Sequence, residues 1–225
     1  MLERMELLLD SKIIDKIKNI NILIVGVGGV GGACFEALVR LGVQHLTIID
    51  NDNFNITNLN RQILSNINNI GHSKVKEALL RAKSINPDIL VETMDMFLNE
   101  ANIGSIDFEK FDYVLDCCDT VTTKFLLIKK CNEHNVKLIS SMGTGNRLDP
   151  TKITVTDIWK TNNDPLAKAM RKILRDNGLN CKVPVVTSTE IPIKTHVATV
   201  GSISLVPNTA GFYMASWVFN DIMNV

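Results

Sequence analysis

The stretch Gly26-Val27-Gly28-Gly29-Val30-Gly31 carries the clearest chemistry in this chain. A short apolar run, Ile22-Leu23-Ile24-Val25, precedes it, and a helical pattern over residues 30–41 follows, stopped by Gly42. A GxGxxG turn between a buried strand and a helix lets backbone N–H groups approach phosphate oxygens at the positive end of the helix. The turn alone does not separate NAD from ATP. Asp50 closes the next strand-like stretch, residues 46–50, and suits a ribose hydroxyl of either nucleotide.

The residues that follow favour a triphosphate. Asn58-Leu59-Asn60-Arg61-Gln62 is a polar cluster beyond Asp50-Asn51-Asp52, and Gly71-His72-Ser73-Lys74 opens another helix. Arg61 and Lys74 bring two mobile positive charges to a site suited to phosphate, where charge builds as pyrophosphate leaves. Asp116 and Asp119 lie at the end of a later strand, where a carboxylate could hold Mg2+ against the phosphates. Taken singly, each has a structural use: Arg61 on a surface, Lys74 supporting a helix, Asp116 or Asp119 as a cap. Asp52 stands open between supporting Arg61 and taking part in catalysis.

Positioning these groups requires alternating strands and helices, and the pattern supplies them. The run 22–25 is apolar throughout, as expected of a strand buried on both faces. Ser73 is placed to cap a helix to about residue 85, which Asn86-Pro87 ends. Strands are expected near 90–93, 113–117 and 137–141, with a helix around 123–134. This alternation predicts an α/β fold, a Rossmann-like and mostly parallel sheet with helices on both faces. After Gly143 the texture changes. Residues 152–157 alternate as a half-exposed strand, and Asp164-Pro165 caps and opens a helix that stops near Asn177-Gly178. A strand-like run at 183–187 and a helix from about 207 complete the chain. The expected organisation is one domain over 1–225, with a nucleotide-binding core at 1–143 and a C-terminal α/β extension at 144–225 on its substrate side.

Lys plus Arg equals Asp plus Glu at 24 each, so any contact with a polyanion needs a local basic patch. The helix from Pro165 provides one: Lys168, Arg171, Lys172 and Arg175 share a face, with Leu166, Met170, Ile173 and Leu174 on the apolar side. Charges interrupt the apolar N-terminus, which does not read as a signal peptide. The apolar stretch 203–219 contains Pro207 and Asn208 and is too short for a membrane span. Five cysteines without metal-like spacing fit a reduced, cytoplasmic protein with no membrane partner.

In their order, the GxGGxG loop, the strand-end Asp50, the Asn58–Gln62 cluster, the Gly71-x-x-Lys74 helix start and the later Asp119 resemble the ThiF/MoeB superfamily, which includes the ubiquitin-activating enzymes. The resemblance implies ATP bound by Gly26, Gly28, Gly29, Gly31 and Asp50, with Asp52 beside them. It places Asn58, Arg61, Gln62 and Lys74 around the phosphates and Mg2+ on Asp119. Arg4, ahead of Glu6-Leu7-Leu8, matches an N-terminal arginine that reaches a neighbouring subunit's site, implying a homodimer. Many such relatives hold zinc in CxxC pairs, which this sequence lacks. Cys181 alone lies in the late, loop-like region, either reactive or a small apolar residue.

The second half resembles the tRNA threonylcarbamoyladenosine dehydratases. The similarity rests on Ser140-Ser141-Met142-Gly143-Thr144-Gly145-Asn146-Arg147-Leu148-Asp149-Pro150-Thr151, on Asp157-Ile158-Trp159-Lys160-Thr161, on Asp164-Pro165-Leu166-Ala167, on Ser188-Thr189-Glu190 and on the run 201–207. The pattern departs between Asn180 and Gly201. The implied activity is ATP-dependent cyclising dehydration of a modified adenosine in tRNA through an acyl-adenylate, with AMP and pyrophosphate released. It needs no protein nucleophile. The alternative is an adenylyltransferase that activates the C-terminus of a ubiquitin-like sulfur-carrier protein; a partner scaffold and a dehydrogenase are more distant.

Overall fold

Short, largely apolar runs give seven strands among the described residues: β1 (Asn21–Val25), β2 (His45–Ile49), β3 (Leu90–Met94), β4 (Tyr113–Asp116), β5 (Lys137–Ser141), β6 (Ile153–Asp157) and β7 (Pro184–Ser188). Among the described residues, seven α-helices connect and flank them: α1 (Glu3–Glu6), α2 (Ser11–Asn19), α3 (Gly29–Leu41), α4 (Lys74–Ile85), α5 (Val121–His134), α6 (Pro165–Asp176) and α7 (Leu205–Met223). The computed structural model describes residues 1–197 and 199–224. The strands form one sheet in the order β3-β2-β1-β4-β5-β7-β6. Every pairing is parallel except β6 with β7, which is antiparallel.

The sheet is covered on both faces, which explains the unbroken apolar character of β1. Ile22 and Ile24 face a core built with Phe35 and Leu38 of α3, Ala78 and Ala82 of α4, and Met214 and Val218 of α7. Leu23 and Val25 face the other core, with Leu127 and Cys131 of α5 and Met170 and Leu174 of α6. β1 lies between β2 and β4, so the connections leave it in opposite directions. The crevice at the carboxyl ends of β1 and β4 is therefore the expected ligand site of an open parallel sheet.

Two local expectations change. Ser73 precedes α4 but does not cap it with its side chain; its Oγ donates instead to Asp95 Oδ2 at 2.7 Å. The last helix starts at Leu205, two residues before the proline taken as its start. α2, capped by Asp10 accepting from Ile13 N, was not evident in the pattern. The frequent asparagines between β2 and α4 are explained by two capping boxes, Asn55 with Asn58 and Asn66 with Asn69, each closing a 3-10 turn.

Candidate active site

At the carboxyl ends of β1 and β4 lies a cleft of about 760 Å³. One wall is the glycine loop. Gly26 has φ +91°, and a Cβ there would lie 2.9 Å from Cys118 N. A Cβ on Gly31 would lie 1.8 Å from the Gly26 carbonyl oxygen, so the loop folds back on itself only with glycine at both positions. Gly28 is the N-cap of α3 and offers no side chain to the first-turn amides, leaving them available to an anion. Gly29 sits against Pro207 at the start of α7.

Asp50, half-buried at the end of β2, ties the loop to the sheet. Its Oδ2 accepts from Val27 N at 2.7 Å and its Oδ1 from Asp52 N at 2.8 Å. A carboxylate has about four acceptor positions, so capacity for a ribose hydroxyl remains. Asp52 pairs with Lys74 rather than Arg61: Lys74 Nζ donates to Asp52 Oδ2 at 2.8 Å, and Lys74 N to the Asp52 carbonyl at 3.0 Å. Lys74 is only 5% exposed although it stands at the head of α4.

The Asn58–Gln62 cluster forms a second wall, on the 3-10 turn at Ile56–Asn58 and the turn after it. Asn58 is locked into that turn, its Oδ1 accepting from Asn55 N at 2.9 Å, while its amide nitrogen stays free to donate to a ligand. Arg61 Nη1 is held by the Thr57 carbonyl at 2.7 Å and Asn60 Oδ1 at 3.1 Å. Gln62 is buried, and its Oε1 has no partner among the described residues. Oxygen and nitrogen of such an amide exchange by a flip, so this orphaned group can meet either a donor or an acceptor on a ligand.

The two strand-end aspartates separate cleanly. Asp116 is wholly buried, 3.0 Å from Lys124 Nζ and bonded to Ser140 Oγ. Lys124 also donates to the Ser141 carbonyl at 2.6 Å, joining the ends of β4 and β5 beneath the cleft. Asp119 is exposed on the cleft, in the turn before α5. No group of three or more His, Cys, Asp or Glu that could hold a metal occurs among the described residues. Asp119 presents one exposed carboxylate to the cleft, the kind of donor that Mg2+ takes beside phosphate and water ligands.

The thiols are poorly suited to nucleophilic attack. A hydrogen bond with Cys34, followed by burial, raises Cys117 well above the usual thiol range; burial raises Cys118. Cys181 lies off the cleft, its carbonyl accepting from Trp159 Nε1 at 2.9 Å, and burial raises its thiol too.

Arg4 and Arg171 are not among the residues that line the cleft. Arg4 lies on α1, where Leu2 packs onto Gly42 at the C-terminal end of α3, whereas the glycine loop lies at the opposite end. A helix the length of α3 spans roughly 20 Å, so Arg4 is not brought to the cleft of its own chain. On α6, Arg171 does not join the solvent face. Its Nη1 donates to the carbonyls of Ile158 at 3.1 Å and Thr161 at 3.2 Å, and to Thr161 Oγ1. Three buried-side acceptors draw the long side chain across the helix edge. Lys168, Lys172 and Arg175 remain exposed, with Arg175 5.9 Å from the Trp159 ring centre. The sequence marked Asp164 as the cap of α6, which the structure shows, but not its bonds to Gly143 and Thr187, and it gave no role to the buried Arg147 and Lys124, whose partners are distant in the chain.

A doubly wound sheet with a glycine turn, strand-end carboxylate and basic residues converging at its switch point defines a Rossmann-like nucleotide-binding protein. The chain belongs to the ThiF family, whose model matches residues 3–220. It is 35% identical to the tRNA threonylcarbamoyladenosine dehydratase of Bacillus subtilis (strain 168), over 98% of this chain and 93% of that protein. It also matches E. coli tRNA N6-threonylcarbamoyladenosine dehydratase in complex with AMP, with TM-score 0.91 and 34% identity over 96% of this chain and 91% of that one. The complex of the same E. coli protein with ATP matches with TM-score 0.90 over the same shares.

Proposed function

We propose that this chain is an ATP-dependent enzyme that dehydrates and cyclises the threonylcarbamoyl group of N6-threonylcarbamoyladenosine in the tRNA anticodon loop. The observation that carries this reading is the meeting of the glycine loop, Arg61, Lys74 and Asp119 around one cleft, with Ser141–Gly145 of the dehydratase-like second half as its far rim.

The chemical problem is a carboxylate that must lose an oxygen. Its attack on the α-phosphorus of ATP forms the acyl–O–P bond and expels pyrophosphate. A nitrogen of the same modification then attacks the acyl carbon; AMP departs with one carboxylate oxygen, the nitrogen loses its proton, and a five-membered ring closes. The nucleoside loses one water overall. Ring closure is intramolecular, so orientation supplies much of its acceleration, consistent with thiols held in their neutral form.

In this reading the α3 amides and Asp50 hold the nucleotide, and Arg61 and Lys74 stabilise charge on the departing pyrophosphate. Gln62 and the free amide nitrogen of Asn58 orient the phosphates. Mg2+ held by Asp119 would neutralise phosphate charge. Residues 1–143 serve as the nucleotide-binding core and 144–225 as the substrate-side extension of one adenylating domain. Arg4, remote from its own cleft, acts across a homodimer. The tRNA lies along α6, whose first turn opens on the cleft through Leu166 and whose Lys168, Lys172 and Arg175 face solvent.

The test is mass spectrometry of nucleosides from threonylcarbamoylated tRNA incubated with the protein, ATP and Mg2+. Loss of one water, dependent on ATP and matched by AMP, is expected. An unchanged nucleoside from ATP-binding protein would turn the assignment towards a ubiquitin-like carrier protein.

A further inference from the structure

On the side of the cleft opposite the glycine loop, one carboxylate and one guanidinium are buried together. Asp164 is 4% exposed and Arg147 2% exposed, and Arg147 Nη2 lies 3.7 Å from Asp164 Oδ2. Each partner binds more than the other. Asp164 caps α6 by accepting from Ala167 N at 3.0 Å, and also accepts from Thr187 Oγ1 of β7 at 2.8 Å. Its third donor is Gly143 N at 3.1 Å, which belongs to the cleft rim itself. Arg147 Nη1 donates to the carbonyls of Ser188 at 2.6 Å and Glu190 at 2.7 Å, and Nη2 to that of Asn163 at 2.9 Å. The Glu190 carboxylate returns to the amides of Leu148 and Asp149 at 3.0–3.1 Å.

A cap alone needs only the Ala167 bond, and a buried charge alone needs only a counter-ion. Here a single pair gathers four segments: the rim at 142–145, the head of α6, the end of β7 and the chain just beyond it. The rim is anchored at its two ends, Met142 N donating to the Val186 carbonyl at 2.8 Å and Asn146 N to the Gly201 carbonyl at 2.7 Å, and between them Gly143 N is tied to Asp164. The nucleotide wall, in contrast, is tied through Asp50, Asp52 and Lys74 and shares none of these bonds. Arg147 Nε is buried without a partner among the described residues, so the guanidinium is held through its two terminal nitrogens.

We infer that Asp164 and Arg147 are positioning residues for the substrate half of the cleft, setting the Met142–Gly145 rim relative to the head of the basic helix α6. They touch no reacting atom; they fix where the modified adenosine meets the activated phosphate wall. The assignment of that wall's partner as tRNA rests on the function proposed above, whereas the coupling of rim to helix does not.

Hydrogen–deuterium exchange of the whole protein tests the coupling directly. Asp164→Asn retains an acceptor for the α6 cap but removes the charge facing Arg147; Arg147→Lys is the conservative partner, and the Asp164→Asn/Arg147→Met double variant removes both charges. Exchange at 142–148 is expected to rise about 10-fold or more in Asp164→Asn, less in Arg147→Lys, with the glycine loop unchanged. ATP affinity is expected to stay within about twofold while kcat on threonylcarbamoylated tRNA falls 10-fold or more. Unaltered exchange at 142–148 would overturn the inference, as would a parallel rise at the glycine loop with matching loss of ATP affinity. If the wild-type protein leaves the tRNA unchanged, the proposed function fails, and the exchange pattern still decides the coupling. The double variant guards against misreading an unpaired buried charge: loosened rim exchange in it supports positioning by the pair, and restored protection overturns it.

Discussion

Lys74 Nζ stands 2.8 Å from Asp52 Oδ2, the ammonium side chain 6% exposed and the carboxylate side chain 60% exposed. The buried member thus depends on a counter-ion at the solvent edge, where an incoming triphosphate can take over part of that role. Lys74→Ala is expected to lower turnover roughly 10²–10³-fold, the size of losing a transition-state charge donor. Asp52→Asn preserves shape and removes only charge, and should cost about 10-fold. AMP release under saturating ATP measures both. Near-full activity in Lys74→Ala would remove the lysine from the mechanism.

The position of α1 at the far end of α3 leads to a mixing experiment. Arg4→Ala and Lys74→Ala are each expected to be nearly inactive. If Arg4 serves a neighbouring subunit, combining the two variants after subunit exchange should restore up to about a quarter of wild-type turnover, from dimers containing one intact site. No recovery in verified mixed dimers would place Arg4 outside the site.

The α6 surface divides into groups with different expected readouts. Changing Lys168, Lys172 and Arg175 together to Gln should weaken tRNA binding and lower the steepness of its salt dependence, by roughly 0.7–0.9 in the log–log slope per lost phosphate contact. Arg171→Gln removes bonds to Ile158 and Thr161, so its effect should be a lower Tm with an unchanged slope. A changed slope in Arg171→Gln would contradict the inward placement.

Glu36 of α3 links two helices, receiving Arg40 Nε at 2.8 Å and Arg81 Nε and Nη2 at 2.9 and 2.8 Å. Burial alone would raise its pKa, but the hydrogen bonds from Arg81 and Arg40 prevail and hold the carboxyl below the usual glutamate range. The unfolded chain therefore takes up this proton first as pH falls. The contribution is complete above the unfolded value of about 4.3 and is lost as pH drops through the folded value. Glu36→Gln should lower stability at pH 7 by about 1–3 kcal/mol and flatten the acid limb between about pH 5 and 3. Urea melts at stepped pH measure this; an unchanged acid limb would show that the carboxylate contributes nothing there.

Local signals carried the sequence reading furthest. The glycine loop, Asp50, the Asp164-Pro165 helix start and the alternation behind the parallel sheet each depend on neighbouring residues, and each has its place in the structure. Pairings across the chain were not legible. Asp52 and Lys74 are 22 positions apart, and which basic residue Asp52 would meet depended on how the asparagine turns fold the crossover. Arg171 occupied the polar face by helical spacing, yet acceptors at Ile158 and Thr161 pulled it inward. Arg147 drew no role of its own, because nothing beside it in sequence announces the carbonyls of Asn163, Ser188 and Glu190.

The last helix has a consequence for the order in which the protein is made. Pro207 of α7 lines the cleft beside Gly29, and Met214 Sδ lies 3.6 Å from Cys117 Sγ behind the glycine loop. A nascent chain that has emerged through β5 already contains the glycine loop, Arg61, Lys74 and Asp119, but not the helix that backs them. Domains generally fold as units during synthesis, so the nucleotide wall would stand unfinished until residues 205–223 leave the ribosome. Ribosome-bound chains arrested before α7 should therefore bind ATP weakly, and chains in which α7 has emerged should bind it well.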